Sequence, residues 1–424
     1  MKKNHPKLIR NINLILTLIL FVKIGGYFSI VEEKSITQIF KVISRIGMTG
    51  TIWFILRKLH KYGCSTRLEN DHLLAPILYL SYLLLGLASI SWSTDPGYST
   101  IQWLMTFESL VFVYLYLKVI IVVNQNFPEK TINLVNLFSH AILPIMIIFI
   151  IGSFIEPDTF YRGMRGGEEK RLGGWIMNPN ELGMLSSIGA ALAYLQLQKN
   201  KSKIIPIIAL IFNLIILALT SSRSSAIGFL LIIGILILKS NNRKLKIAMI
   251  VMMFLLIPVV LKFIIFKDEG GIEEVMSMTG RLPFWTALLN EGIIKEPFFG
   301  YGFMRINYTD YFQGLNTYPG KMTHNTFMQV LMNLGFVGFF IAFWQLVSTI
   351  RNFVVEKTHM YADYFIAVFI PVIINSFTEF GIYGESNYGI TFWHFLTLLF
   401  VLKPAVNLSK EEKIRQFLFN GKNN

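Results

Sequence analysis

Apolar runs of roughly 20 residues recur along the chain, which is the length a helix needs to cross a bilayer. Short polar segments separate them. Backbone polar groups find no water in lipid, so spanning segments satisfy them internally as helices. We therefore expect an all-α, polytopic integral membrane protein in which residues 1–424 form a single transmembrane domain. The pattern predicts about twelve spans, at 11–29, 36–56, 73–91, 99–120, 132–154, 181–197, 204–220, 225–239, 245–266, 325–350, 361–379 and 387–403.

One long polar interruption follows the ninth predicted span, at residues 267–324. We expect it to form a large loop within the transmembrane domain. Inside it, residues 283–294 predict a short amphipathic helix, whose apolar stripe is Phe284, Trp285, Leu288, Leu289 and Ile293. The end of the chain, 404–424, is basic and predicts a cytoplasmic tail lying on the membrane face.

Composition supports the membrane class. Hydrophobic residues make up 53% of the chain and charged residues only 15%, whereas soluble domains carry about 25% charged residues. The single cysteine, Cys64, excludes an internal disulfide and a cysteine-based metal cluster. The net charge of +14 is explained by basic loops that orient membrane proteins, so we expect no nucleic-acid partner.

The distribution of Lys and Arg predicts the orientation. If the N-terminus is cytoplasmic, 24 of the 39 Lys and Arg residues fall in cytoplasmic segments and 11 in the longer outside segments. Because cytoplasmic loops carry the excess of basic residues, both termini are expected in the cytoplasm and loop 267–324 on the extracytoplasmic face. Of the cations inside spans, Lys41 and Arg45 are expected to snorkel to the interface.

Three arginines on the predicted outer side are candidates for binding an anion: Arg171, Arg223 and Arg281. The planar guanidinium makes bidentate, charge-assisted hydrogen bonds to clustered anionic oxygens such as a diphosphate. Each arginine also has a simpler role open to it. Arg223 is placed to reach lipid phosphate, Arg281 to be a solvated helix start, and Arg171 to pair with nearby glutamates.

His324 stands where loop 267–324 returns to the membrane. An imidazole titrates near neutral pH and suits a general base for a sugar hydroxyl, with Asn325 beside it to orient it or the acceptor. A purely structural histidine is the alternative. No aspartate pair, DxD-like motif or phosphate-binding loop appears outside the spans, so we expect no metal and no cofactor.

Short motifs follow one another along the chain: 91–96 (SWSTDP), Arg171 with Asn178, Pro179 and Asn180, 222–224 (SRS), Gly280 and Arg281 with Trp285, Pro297 with Gly300 and Gly302, and His324 and Asn325 with Gly335. In their order, these motifs resemble the O-antigen ligase and Wzy-type polymerase superfamily of bacterial envelope glycosyltransferases. The large outer loop after span nine resembles that family too.

The resemblance implies a metal-independent glycosyltransferase on the outer face of the bacterial cytoplasmic membrane. Its donor would be a saccharide on undecaprenyl diphosphate, in surface, capsular or exopolysaccharide synthesis. The arginines matching Arg223 and Arg281 would engage the diphosphate, joined by Arg171. The residue matching His324 would activate the acceptor hydroxyl, with Asn325, Asn180 and Trp285 as candidates for orienting the acceptor.

Three functions compete. A polymerase, which we favour, passes the growing chain to another lipid-linked repeat unit. A ligase passes a finished glycan to lipid A–core or another acceptor. A non-enzymatic transporter of lipid-linked sugars would place its cations in a central cavity. Beyond the lipid-linked saccharide and the bilayer, the expected partners are polysaccharide export and chain-length proteins.

Overall fold

A computed structural model of the protein describes residues 5–28, 34–64, 66, 68–128, 131–164, 169–199, 201–239, 281–303, 323–379, 381–383 and 387–404, with isolated residues between 243 and 254. Within these ranges the chain is mostly helical. The helices are α1 (His5–Gly25), α2 (Lys34–Lys61), α3 (Leu74–Ala88), α4 (Pro96–Asn126), α5 (Leu134–Ile155), α6 (Pro157–Phe160), α7 (Pro179–Lys199), α8 (Ile204–Leu219), α9 (Arg223–Lys239), α10 (Arg281–Ala287), α11 (Ile293–Lys295), α12 (Thr326–Val355), α13 (Ala362–Ser376) and α14 (Tyr388–Leu398).

Five of the described helices are long and apolar enough to cross a membrane: Lys7–Gly25 in α1, Leu74–Trp92, α4, α5 and α12. Two more, α8 and α13, are apolar but shorter. The described part of the chain thus has the helix lengths and apolar character of an all-α membrane protein.

Eleven of the twelve predicted spans overlap a helix in this structure. The ninth, 245–266, lies mostly outside the described residues. So do most of loop 267–324 and all but the first residue of tail 404–424. The number of membrane crossings therefore stays a prediction.

The twelfth span was predicted too long. Helix α14 ends at Leu398, and Leu402–Pro404 (β4) instead pairs antiparallel with Leu68–Asn70 (β1). The apolar sequence continues past Leu398, so hydropathy does not mark the helix end. The partner strand lies more than 300 residues away in sequence and supplies the hydrogen bonds that favour an extended backbone.

The β1–β4 pair joins three distant segments at one end of the molecule. Lys403 Nζ lies 3.2 Å from a carboxylate oxygen of Asp71 and 2.6 Å from one of Glu356. The Asn352 amide donates to the carbonyl of His72 at 3.3 Å. The predicted topology places all of these segments on the cytoplasmic side.

Helix α12 is broken at Gly335, whose backbone angles are φ 61° and ψ −162°. A break leaves carbonyls before it and amides after it without helical partners. The segment from Pro297 to Gly302 supplies those partners, so this part of loop 267–324 is bound to the break. The bonds run from the amides of Tyr301, Gly302, Phe336 and Val337 to the carbonyls of Met332, Asn333, Pro297 and Phe298, at 3.0, 2.8, 2.8 and 3.2 Å respectively.

The amphipathic helix predicted at 283–294 is present, with a change of pitch. Helices α10 and α11 are joined by a π-helical turn at Leu288–Gly292. Phe284, Leu288 and Ile293 are buried against α12, but Leu289 is 42% exposed. Leu289 was predicted on the same apolar stripe but is not part of the buried face, because the wider π turn puts residues five apart on one side.

The expectation that Arg45 snorkels was also wrong. Its side chain is buried, and the guanidinium carbon lies 4.1 Å from the ring centroid of Tyr27. Lys41 turns the same way and donates to the Tyr27 carbonyl at 3.1 Å. Nearby, buried Lys23 pairs with Glu108 at 2.6 Å. For Arg45 and Lys23, an aromatic ring and a carboxylate inside the bundle thus replace the interface as surroundings.

Candidate active site

Glu379 lies at the centre of the candidate active site, three residues beyond the end of α13. Its amide donates to the Asn375 carbonyl at 2.7 Å, and its carbonyl accepts from the Thr326 hydroxyl at 3.1 Å. The residue is only 3% exposed. A carboxylate this deeply buried must be paired and hydrogen-bonded.

Both carboxylate oxygens of Glu379 have partners. One oxygen lies 2.9 Å from His324 Nδ1. The other accepts from the Asn180 amide at 2.9 Å and from an Arg281 guanidinium nitrogen at 3.4 Å. Residues from three distant parts of the sequence therefore meet on one side chain.

The surroundings of Glu379 favour its ionised form. Burial alone would raise the pKa of this carboxyl, but the neighbouring His324, together with Arg281 and Asn180, holds its pKa below the usual value. An ionised carboxylate only accepts hydrogen bonds, so His324 Nδ1 must carry the proton in this pair. With this proton on Nδ1, the basic nitrogen of a neutral imidazole is Nε2, as a general base requires.

Arg281 is the first residue of α10, but it is not a solvated helix start. Its side chain is 16% exposed, and one terminal nitrogen donates to the Thr378 carbonyl at 2.7 Å while the other faces Glu379. The guanidinium fork thus holds the loop that carries the buried carboxylate.

Arg171 reaches the same cluster from a hairpin. It lies on Glu169–Leu172 (β3), which pairs antiparallel with Tyr161–Met164 (β2). Its Nε donates to the Thr220 carbonyl and a terminal nitrogen to the Asn180 side-chain oxygen, both at 2.8 Å. The side-chain nitrogen of Asn180 in turn donates to Glu379, which links Arg171 to the carboxylate.

The turn that carries Arg223 is bound to the cluster through its neighbours. Thr220 accepts from Arg171, and the Ser225 hydroxyl donates to the Asn180 carbonyl at 3.2 Å. Arg223 begins α9 and is half-buried. Ser221, two residues earlier, has a positive φ of 48°, which turns the chain sharply into α9. Arg223 is thereby held next to the part of the site formed by Arg171 and Asn180.

His324 is held in an uncommon backbone conformation. Its φ is 50°, in the left-handed region that a non-glycine residue enters at a cost of about 1–3 kcal/mol. Trp285 contributes to holding it there, because its indole nitrogen donates to the carbonyl of Thr323, the preceding residue, at 2.7 Å.

Asn325 caps helix α12. Its side-chain oxygen accepts from the amides of Phe327 and Met328 at 2.9 and 3.1 Å, and its nitrogen donates to the Phe377 carbonyl at 3.3 Å. The capping contacts engage both ends of this amide. In this structure Glu379, rather than Asn325, is the side chain bonded to the imidazole.

The cluster suits an anionic ligand next to a base. Arg171 and Arg281 belong to the network around Glu379, and Arg223 begins a helix beside it. Clustered guanidinium groups suit a diphosphate, and His324 shares Glu379 as a partner with Arg281. Among the described residues, no group of three or more His, Cys, Asp and Glu side chains is placed to hold a metal ion.

The structure joins four of the seven predicted site residues, Arg171, Asn180, Arg281 and His324, in one hydrogen-bonded network. Trp285 and Arg223 lie at its edges. The residue that sequence reasoning missed is Glu379, because the apolar run 361–379 was assigned whole to a span. The available signal was an acidic residue at the very end of an apolar segment, and such residues are rarely without a role.

A comparison with known proteins found one family that matches part of the chain. No curated protein matches the chain. Residues 208–343 match a family model described as O-antigen ligase. The matched range includes Arg223, Arg281, Trp285 and His324, whereas Arg171, Asn180 and Glu379 lie outside it. The match over residues 208–343 supports the predicted resemblance to the O-antigen ligase and Wzy-type superfamily.

Proposed function

We propose that the protein is a membrane glycosyltransferase that polymerises saccharide repeat units carried on undecaprenyl diphosphate, at the extracytoplasmic face of the bacterial cytoplasmic membrane. The single observation that carries this proposal is the contact of His324 with the buried carboxylate of Glu379, beside Arg281 and Asn180. A base and an anion site on one network are what transfer from a lipid diphosphate requires.

In the proposed reaction the acceptor hydroxyl oxygen attacks the anomeric carbon of the donor. A new glycosidic C–O bond forms as the bond from that carbon to the diphosphate oxygen breaks. The electron pair leaves with the lipid diphosphate, and the hydroxyl proton passes to Nε2 of His324. The negative charge of Glu379 stabilises the imidazolium that results.

Arg223, Arg281 and Arg171 hold the donor's diphosphate in this proposal. Their guanidinium groups offset the charge that grows on the leaving group, as fixed electrostatic stabilisation does in other transfer reactions. Arg281 and Arg171 are already fixed by Thr378 and Thr220, so little reorganisation is needed. The reaction is accordingly proposed to be metal-independent.

Polymerase and ligase activities differ in the acceptor alone. A polymerase uses a second lipid-linked repeat unit, so it acts on a single kind of substrate. A ligase needs lipid A–core or another acceptor in addition. The transporter alternative is less favoured, because the described cations near Glu379 are bonded to a fixed network beside a base.

The test is to supply purified protein in lipid nanodiscs with one lipid-linked repeat unit and nothing else. A ladder of products separated by one repeat is expected, and EDTA should leave the ladder unchanged. Products that appear only after lipid A–core is added would indicate a ligase. Absence of transfer with either acceptor, or a reaction that EDTA stops and Mg²⁺ restores, would contradict the proposal.

A further inference from the structure

Two outer motifs that the network around Glu379 does not use come together elsewhere in the structure. The turn after α3 (residues 91–95) meets the turn at residues 296–302. The Thr94 amide donates to the Tyr301 carbonyl at 3.1 Å, and the Phe303 amide donates to the Ser89 hydroxyl at 3.0 Å. Gly302 lies so close to Ser93 that a Cβ there would be 2.6 Å from the Ser93 backbone. The two turns are therefore built to touch.

A groove of about 510 Å³ lies between these turns, with two aromatic side chains at a corner. It is lined by Trp92, Thr94, Glu296, Phe299, Gly300 and Tyr301. Trp92 and Phe299 are 40% and 52% exposed, and their rings meet edge to face with centroids 5.9 Å apart. Exposed rings fixed in such a corner offer an apolar face to a ligand.

The polar groups of the groove indicate which chemical class of ligand it would bind. Glu296 is exposed at the rim, and its carboxylate accepts hydrogen bonds from hydroxyl groups but repels phosphate. Thr94 adds a hydroxyl. Tyr301 is positioned by its own hydroxyl, which donates to the Gly292 carbonyl at 2.9 Å. Aromatic faces beside hydroxyl-binding groups suit sugar rings, which have apolar C–H faces and hydroxyl edges.

A helical stretch connects the groove to the candidate active site. Arg281 begins the helical stretch 281–295 and Glu296 follows its end, so about 22 Å of helix separates them.

We propose that this groove is a saccharide subsite, which binds sugar rings of the substrate's glycan some 20 Å from the reacting carbon. The inference rests on the proposed function for the identity of its ligand. A glycan whose diphosphate end is held by Arg281 would run along the outer surface of α10 and α11 to reach it. Binding there would hold a long glycan in a fixed position while its diphosphate-linked end reacts.

The first test measures binding without transfer. The probe is the water-soluble repeat-unit oligosaccharide, released by mild acid from the lipid-linked intermediates of producing cells. Saturation-transfer NMR on protein in nanodiscs should show binding to the wild type. Phe299→Ala and Trp92→Ala should each raise the dissociation constant about tenfold, since one well-stacked ring is worth roughly that factor.

The matched controls are neighbours of the same chemistry. Phe298→Ala removes an exposed ring from the adjacent position, which does not line the groove. Glu291→Gln removes an exposed carboxylate from the same helical stretch, as a control for Glu296→Gln. Both controls should bind the oligosaccharide as the wild type does. Equal losses in groove and control variants, or no loss in the groove variants, would overturn the subsite.

The second test separates the subsite from the proposed chemistry. With lipid-linked repeat units, groove variants should raise KM about tenfold and keep kcat at saturation. A wild type that binds oligosaccharide through the groove but performs no transfer would contradict the proposed function alone. Undecaprenyl phosphate without sugar is the competing probe. The groove variants could weaken the binding of undecaprenyl phosphate and leave the binding of the oligosaccharide unchanged. In that case the groove is a lipid site and the proposal is wrong.

Discussion

At the scale of single residues, the chemistry of the site depends on which groups are charged. Glu379 is buried, but its neighbours hold its pKa low, so it stays ionised. That charge fixes a proton of His324 on Nδ1, so Nε2 is the basic nitrogen of the neutral ring. Glu379 is thus a positioning residue that acts through the imidazole.

Changing Glu379 to glutamine tests this role. The amide keeps the shape but has no charge, and its NH₂ end is able to hold His324 in the wrong tautomer. We expect kcat to fall about 10²-fold or more, since general-base help is worth 10²–10⁴. The pH profile of kcat should change shape as well, which a purely structural loss would not cause. Glu156→Gln, at an exposed carboxylate on the predicted outer side, is the control and should be neutral. A Glu379→Gln enzyme with normal turnover would refute the pairing.

A test of His324 needs a replacement residue that tolerates the positive φ at this position. Asparagine tolerates positive φ better than most residues, so His324→Asn removes the base while keeping the fold at φ 50°. Transfer should fall by about 10²–10⁴-fold, and binding of undecaprenyl diphosphate should change little. His324→Ala should match it in transfer but be less stable in thermal unfolding. Normal turnover in either variant would return His324 to a structural role.

Arg281 is expected to matter by geometry as well as by charge. Its fork bonds Thr378 and Glu379 at once, which a single ammonium group does not reproduce. Arg281→Lys should therefore recover little of the transfer lost in Arg281→Ala, and both should weaken binding of undecaprenyl diphosphate. Arg351→Lys, an exposed residue of α12, is the control. Strong rescue by lysine would show that charge alone suffices.

At the scale of elements, the hydropathy pattern does not predict the break in α12. The residues around Gly335 continue an apolar run, and only the contacts of Pro297–Gly302 with the freed backbone groups explain the bend. Because the helix turns there, its first half places Thr326, and His324 just before it, at the loop that holds Glu379.

Gly335→Ala tests whether this break matters. A Cβ at Gly335 would lie 2.3 Å from the Phe298 carbonyl carbon, at a φ of 61°. We expect a loss of at least about 1–2 kcal/mol in the free energy of unfolding from the left-handed backbone alone, with reduced transfer. Gly50→Ala in α2 is the control, because nothing lies within 4 Å of its Cβ position. There alanine should stabilise the helix by about 1 kcal/mol. Equal behaviour of the two variants would show that the break tolerates a regular helix.

Some elements were predictable from the sequence and others were not, for physical reasons. Helices such as α5 and α8 follow directly from apolar runs of the right length. The end of α14, the burial of Arg45 and the partners of Glu379 depend on residues that are distant in sequence. Arginines on the predicted outer side were found because they oppose the charge rule. Glu379 was missed because a single acid barely lowers the hydropathy of an apolar run.

At the scale of the whole molecule, the contacts fall into two groups that match the predicted sides. The ends of α8 and α13 and the starts of α7, α9, α10 and α12 meet around Glu379. The segments near Asp71, Glu356 and Lys403 meet at the β1–β4 pair. Each group contains only segments that the charge count places on one side of the membrane.

Cysteine labelling assigns those groups to the two sides. In a Cys64→Ala background, Lys170→Cys and Lys295→Cys should react with an impermeant maleimide in intact cells, because the site is predicted to be extracytoplasmic. Lys201→Cys, equally exposed in the structure, should react only after permeabilisation. All three positions replace an exposed lysine, so differences in labelling report the side and not the local environment. Labelling at 201 in intact cells would reverse the orientation. It would also place the network around Glu379 in the cytoplasm, where an outer-face transferase has no substrate.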